Sequence, residues 1–163
     1  MGYYKKEIPA LLEERGIPYR MMEHEAVFTM EEMDACGISR EGRVCKNLFL
    51  RNAKGKIHYL VSLPEEKQAD LKALGAMLDG QRLSFASEER LQKYLGATHG
   101  AVSPLGVLND SSNSVIAVLD EEILSWDSVG VHPNDNTATI WLAPSDLEGL
   151  LRGSGNPLRI LKI

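Results

Sequence analysis

The chain has 163 residues, 44% of them hydrophobic, with a mean hydropathy of −0.19 and a net charge of −5; that is enough for one buried core and too little for two full-sized domains, so one domain over residues 1–163 is expected. The acidic balance argues against a protein that coats nucleic acid non-specifically, a mode that needs many phosphate contacts. No apolar run approaches the roughly 18 residues of a membrane span, and Cys36 and Cys45 are too few for a disulfide framework and lack metal-ligand spacing, so a reducing cytoplasm, no membrane and no metal are expected.

The start, MGYYKKEIPALLEERG, turns charged and amphipathic where a signal peptide would show an apolar stretch, and Lys6 stands where a lipidation motif needs Ser or Thr. KKEIPALLEERGIPY predicts a short amphipathic helix closed by Gly16, and YRMMEHE the strand after it. Thr29 and Glu32 have capping-box spacing, which predicts a helix from about Met30 to Cys36 with Gly37 as its left-handed stop. CKNLFLRN and IHYLVSL around AKGK predict a hairpin, QADLKALGAML a helix, RLSFA a brief strand, and EERLQKYLG a helix capped by Ser87 and ended by Gly96.

THGAVSPLGVLND, residues 98–110, has neither helical nor strand period and predicts an ordered loop. SVIAVLD predicts a buried strand, SVGVHPNDNTATIWLA a second hairpin turning on Pro133 to Asn136, and Ser145 with Glu148 a last helix opened by a capping box; PLRILKI adds a terminal strand. Strands interspersed with short helices predict an α/β fold: a mixed, mostly antiparallel central sheet with short helices around it.

Six cations, Arg40, Arg43, Lys46, Arg51, Lys54 and Lys56, face Glu41 alone between residues 40 and 56, a local net charge of +5. Such a run suits either a solvated hairpin rim or a phosphate-contacting edge. Within it, strand alternation puts Lys46 on one side with Leu48 and Leu50, and Cys45, Asn47 and Phe49 on the other. Lys46 therefore either snorkels over apolar neighbours or clamps a phosphate or carboxylate as a compact point charge. Cys45 could be a thiolate activated by the adjacent cation, but alternation turns the two side chains apart and favours a small buried hydrophobe.

In GAVSPLG, Gly100 and Gly106 permit unusual backbone conformations, Pro104 stiffens the centre and Ser103 adds a hydroxyl, a composition suited to presenting amide N–H groups to a developing oxyanion. His24, His58 and His99 are unremarkable in context. His132 precedes Pro133 at the end of a strand, an extended position from which a side chain can enter a pocket. There is no dinucleotide-binding or P-loop glycine motif, no nucleophile elbow and no His/Cys cluster at metal spacing.

Taken together, CKNLFLRNAKGKIHYLVSLP, DLKALGAML, RLSFASEERLQKYLGATHGAVSPLGVLND and GVHPNDNTATIWLAPSDLEGLL resemble the YbaK and prolyl-tRNA synthetase editing-domain superfamily, and within it the free-standing Ala-tRNA(Pro) deacylases of the ProXp-ala or PrdX type. The likeness covers nearly the whole chain in the same order. It implies a cofactor-free hydrolase that removes alanine from mischarged proline tRNA, an activated ester for which positioning and charge placement can suffice.

The resemblance implies that Lys46 meets the phosphate or ribose of the terminal adenosine, and that Asn47 supports the loop. The amides of Gly100, Ala101, Val102 and Ser103, stiffened by Pro104, would cradle the ester carbonyl. His132 would border the aminoacyl group or its ammonium. Phe28, Thr29 and Met30 match the stretch that lines the family's pocket and would exclude a proline ring. The family's mechanism uses the substrate's own ribose hydroxyl to activate water. The acceptor end of the tRNA is the implied partner, its phosphates met by Arg40, Arg43, Arg51 and Lys54, with prolyl-tRNA synthetase as a second partner; the lack of an anticodon-reading or synthetase domain implies action in trans. Two alternatives stand beside this: a deacylase for Cys-, Ser- or Thr-tRNA, and a non-catalytic module that binds the tRNA end.

Overall fold

The computed structural model describes residues 2–26, 30–35, 37–38 and 42–163. Phe28, Thr29, Cys36 and Arg40, the Met30 side chain, and with them the Thr29 capping box and the expected pocket lining, lie outside the described residues.

Local chemistry accounts for most elements. Helix α1 (Glu7–Glu14) buries Ile8 and Leu12, four apart on one face, and Gly16 at φ 66° turns the chain into β1 (Tyr19–Glu23). A short α2 (Met30–Ala35) precedes Gly37 at φ 80°. Strands β2 (Cys45–Arg51) and β3 (His58–Pro64) pair antiparallel from Cys45↔Pro64 to Arg51↔His58. Helix α3 (Leu71–Met77) is capped by Asp70, which accepts from the amides of Lys72 and Ala73. β4 (Ser84–Phe85) leads to α4 (Glu88–Leu95), capped by Ser87 and ended by Gly96 at φ 59°. Then follow β5 (Ile116–Asp120), β6 (Val129–Val131), β7 (Ala138–Leu142), α5 (Pro144–Gly153) and β8 (Leu158–Leu161).

The strands form two sheets where one was expected. A five-stranded sheet has the order β4-β2-β3-β5-β8, antiparallel from β4 to β3 and parallel from β3 to β8; a three-stranded antiparallel sheet has the order β1-β7-β6. Strand β4 reaches only Leu50 and Arg51, which leaves the start of β2 without a neighbour on that side. Strand β6 docks there: Val44 bridges Gly130 in parallel, and the Gly130 amide donates to the Arg43 carbonyl at 2.7 Å. The main core lies between the sheets, with Phe49, Leu60 and Leu119 from one, Val131, Ile140 and Leu142 from the other, and Leu12, Leu95 and Leu147 from the helices. A second cluster covers the opposite face of the larger sheet, where Leu50, Tyr59, Val61 and Leu63 meet Leu74 and Leu78. Among the described residues no helix is long and apolar enough to cross a membrane.

Two further expectations are corrected. Helix α5 begins at Pro144 with Ala143 at its cap and no side-chain cap bond: the fixed φ of proline suits the first helical position, so the helix starts ahead of Ser145 and places it inside the first turn; Glu148 instead accepts from Arg152 at 2.8 Å. The loop after Ser103 is not open throughout: Pro104–Asn109 forms a 3₁₀ turn.

The junction depends on the absent side chain of Gly130. A Cβ there would stand 2.5 Å from Val44 Cγ1, 2.7 Å from Trp141 Nε1 and 3.1 Å from the Arg43 carbonyl oxygen. Gly130→Ala is therefore expected to lower unfolding free energy by about 1–3 kcal/mol, measured by urea denaturation.

Candidate active site

Asn47 joins the start of β2 to the glycine-containing loop. Its Nδ2 donates to the Val102 carbonyl at 3.2 Å, while its Oδ1 accepts from the buried Ser62 hydroxyl at 2.6 Å and faces the Cys45 thiol at 3.7 Å. With both ends of the amide engaged, the loop is held at a set height above the strand. Gly100 takes φ 93°, a left-handed turn that a side chain would strain.

Within the expected cradle the amides differ. The Ala101 amide is already used, donating to the Thr98 carbonyl at 3.1 Å, whereas those of Gly100, Val102 and Ser103 meet no acceptor among the described residues. The Ser103 hydroxyl is also committed: it is fully buried and accepts from the Leu105 amide at 3.2 Å as the cap of the 3₁₀ turn, so that oxygen cannot touch a ligand. Pro104 is buried at the first position of that turn, where it stiffens the backbone, and Val102 is half-buried. Of the expected cradle, the Ala101 amide and the Ser103 hydroxyl are thus engaged within the loop itself, and Pro104 sits in the turn that follows.

His132 stands at the end of β6. Its Nδ1 donates to the Ala138 carbonyl at 2.9 Å, which leaves Nε2 as an acceptor. Its ring meets His24 edge-on at 6.3 Å, and His24 Nε2 in turn accepts from the Thr139 hydroxyl at 2.9 Å. Burial, and then the neighbouring His24, lower the His132 pKa below the ordinary 6.5 despite the opposing pull of Ala138 and Asp135. The ring is therefore neutral at pH 7. Val44, Cys45, Asn47, Gly130, Val131 and Thr139 line with His132 a very small cavity of about 10 Å³.

A lowered histidine pKa has a definite sign for stability. The unfolded state takes up protons near 6.5 while folded His132, and His58 whose pKa burial also lowers, resist them. Stability is then full above 6.5 and declines as pH falls below it. Thermal melts between pH 7.5 and 5 should show this decline, and His132→Gln should reduce its slope.

The cations divide along β2. Lys46 leaves the strand on the face opposite Asn47, the side on which Val44 packs against Ile38 and Trp141. It is half-buried and has no ion-pair partner among the described residues. Lys46 and Asn47 thus flank the strand's start from its two sides. Arg51 and Lys54 lie at the far end of the hairpin, five or more residues away, on the order of 17 Å along an extended strand, so the basic run is not one patch. Lys54 is exposed, and Arg51 donates to the Ala53 carbonyl at 3.3 Å. Arg43 is paired with Glu66 at 2.5 Å, which makes it a weak phosphate contact.

Cys45 is excluded as a nucleophile at neutral pH: burial above all pushes its pKa up to about 12. No group of three His, Cys, Asp or Glu side chains among the described residues could hold a metal ion.

Asn134 escaped the sequence reading. Held at φ 58°, it donates from Nδ2 to the carbonyls of Leu105 at 3.2 Å and Tyr3 at 2.8 Å, tying the His132 turn to the 3₁₀ turn that follows the cradle. An Asn-Asp pair at a hairpin tip signals tolerance of that conformation, not its long-range partners. Ser62 and Thr139 also went unnoticed, because each reads as an ordinary strand residue until the sheet sets it beside Asn47 or His24.

Residues 24–150, which contain the strand start, the cradle and the histidine turn, match the family model of the aminoacyl-tRNA editing domain. The chain belongs to that family and is, by class, an aminoacyl-tRNA hydrolase. It is 45% identical over 159 residues to the prolyl-tRNA editing protein ProX of Acetoanaerobium sticklandii, covering 98% of this chain and 97% of that one. It is also 32% identical over 100 residues to the multifunctional Ser/Thr-tRNA deacylase ProXp-y of Escherichia coli, 58% of each chain. A crystal structure described as a candidate trans-editing enzyme for prolyl tRNA synthetase superposes with a TM-score of 0.70 at 25% identity, over 97% of this chain and 96% of that one.

Proposed function

We propose that this protein hydrolyses the ester of alanine mischarged on proline tRNA, acting in trans on the acceptor end. The observation that carries the reading is the Asn47 bridge: it holds free loop amides beside a small cavity walled by a neutral histidine. The ester carbonyl would lie against the Gly100 and Val102 amides, where negative charge grows as water adds. The acceptor nitrogen of His132 would receive a hydrogen bond from the alanyl ammonium and hold the acyl carbon in line. Lys46 would grip the phosphate or ribose of the terminal adenosine from the other side of β2. The adjacent ribose hydroxyl would take the proton from the attacking water, so the protein supplies position and charge and forms no covalent bond.

Selection for a small amino acid would follow from the tightness of this cavity. Its walls include the fully engaged Asn47 and the tightly packed Gly130, which cannot recede cheaply for a proline ring. Exposed Lys54, with Arg51, would meet backbone phosphates farther along the acceptor arm, and docking on prolyl-tRNA synthetase would bring the substrate within reach. The similarity to a Ser/Thr-tRNA deacylase supports a second reading, in which serine or threonine esters are preferred. Incubation with Ala-tRNA(Pro), Pro-tRNA(Pro), Ser-tRNA, Thr-tRNA, Cys-tRNA(Pro) and Ala-tRNA(Ala) decides between them: selective loss of the first is expected. Preferential loss of Ser- or Thr-tRNA would favour the second reading, and stability of all six esters would refute both.

A further inference from the structure

A second groove, of about 440 Å³, opens next to the candidate cavity and is lined by Gly42, Arg43, Ser125, Trp126, Asp127 and Ser128. The Arg43 guanidinium lies over the Trp126 ring at 4.0 Å. It is held there by Glu66 at 2.5 Å, with Glu122 at 3.9 Å, and half of the side chain, 52%, remains exposed. Two carboxylates offset its charge, so it is ill suited to clamp a phosphate. A fixed, planar and weakly hydrated guanidinium backed by an indole is instead a platform for a flat aromatic ligand. Asp127, at the rim, is exposed and has no partner among the described residues. It can accept a hydrogen bond from an exocyclic amine, as carboxylates do from N4 of cytosine, and would repel a carbonyl oxygen or a phosphate at the same place.

The position of the groove is as informative as its chemistry. Arg43 directly precedes Val44 and Cys45, Ser128 stands two residues before Gly130, and the Gly130 amide donates to the Arg43 carbonyl. Groove and cavity are thus about two residues apart along paired strands, roughly 7 Å, within the span of one extended nucleotide. The geometry points to a nucleobase subsite: the base that precedes the terminal adenosine stacks on the Arg43–Trp126 pair, and Asp127 selects cytosine there. This rests on the deacylase reading above and specifies where the next nucleotide of its substrate sits.

The test compares three esters: 3′-alanyl adenosine, and the alanyl esters of the dinucleotides CA and UA. In the wild type kcat/KM is expected to rise roughly 10-fold or more from the mononucleoside to CA, the scale of one stacked base, and less for UA. Trp126→Ala should return CA to the level of the mononucleoside without changing cleavage of the latter, Trp126→Phe should keep most of the gain, and Asp127→Ala should make CA and UA equal. Equal rates for all three esters in the wild type, or a loss in Trp126→Ala that falls equally on the mononucleoside, would overturn the subsite. If the wild type cleaves none of them, the deacylase reading is judged by Ala-tRNA(Pro) itself, whose stability would refute it, and the groove is judged by fluorescence. Uncharged CA dinucleotide should then quench tryptophan emission in the wild type and not in Trp126→Phe, where only Trp141 emits; no quenching in the wild type would overturn the subsite as well.

Discussion

Lys46→Ala is expected to lower kcat/KM for Ala-tRNA(Pro) by about 10- to 100-fold, while the melting temperature barely changes. The first figure follows from losing a hydrogen bond to a charged group, about 1.5–3 kcal/mol, at 1.36 kcal/mol per decade of rate. The second follows from the residue's surroundings: it is half-buried, and among the described residues no carboxylate pairs with it, so the fold loses little. Lys46→Met separates the two uses of the side chain, since it keeps the apolar stem that lies along the Leu48 side of the strand and removes the ammonium. If Lys46→Met retains wild-type activity, the residue merely snorkels and the phosphate grip is wrong.

Asn47→Ala should have the larger effect, a fall of about 10²- to 10³-fold in kcat, the range found when one fixed donor at a developing oxyanion is removed or misplaced. Here the loss is indirect. Without Nδ2 the Val102 carbonyl is no longer tied to β2, and the free amides on either side of it can drift from the ester. The change should also destabilise the protein by about 1–3 kcal/mol, because the Ser62 hydroxyl, 1% exposed, loses its acceptor. Asn47→Asp makes the test sharper: it preserves the acceptor for Ser62 but sets a carboxylate against the Val102 carbonyl, so stability should partly recover while activity does not. Recovery of both would assign Asn47 a purely structural role. KM should rise much less than kcat falls in either variant, as expected of a residue that positions the cradle.

The secondary structure and the site divide differently between sequence and fold. Alternation along CKNLFLR placed Cys45, Asn47 and Phe49 on one face and Lys46, Leu48 and Leu50 on the other, and the two hydrophobic clusters follow that division. Ser87, Gly96, Gly16 and Gly37 marked helix ends through local backbone preferences, and these act within a few residues. The same local logic failed at Ser145, where Pro144 already opens the helix one residue earlier, and at the 3₁₀ turn after Ser103, whose hydroxyl is consumed in capping.

The sequence by itself determined the order of elements and the facing of β2, because periodicity, capping and turn preferences are properties of neighbouring residues, and its motifs carried the resemblance to the family. Only the tertiary structure decided that the strands split into two sheets joined at Val44 and Gly130, and that Asn47 reaches Val102 across 55 positions of chain. It also decided that Asn134 secures the far wall through Leu105, and that Arg43 lies on Trp126 while Arg51 stands at the other end of the hairpin. The reason is physical: a buried amide or a guanidinium bonds to whatever packing brings within about 3 Å, and local preference does not encode which distant segment that will be.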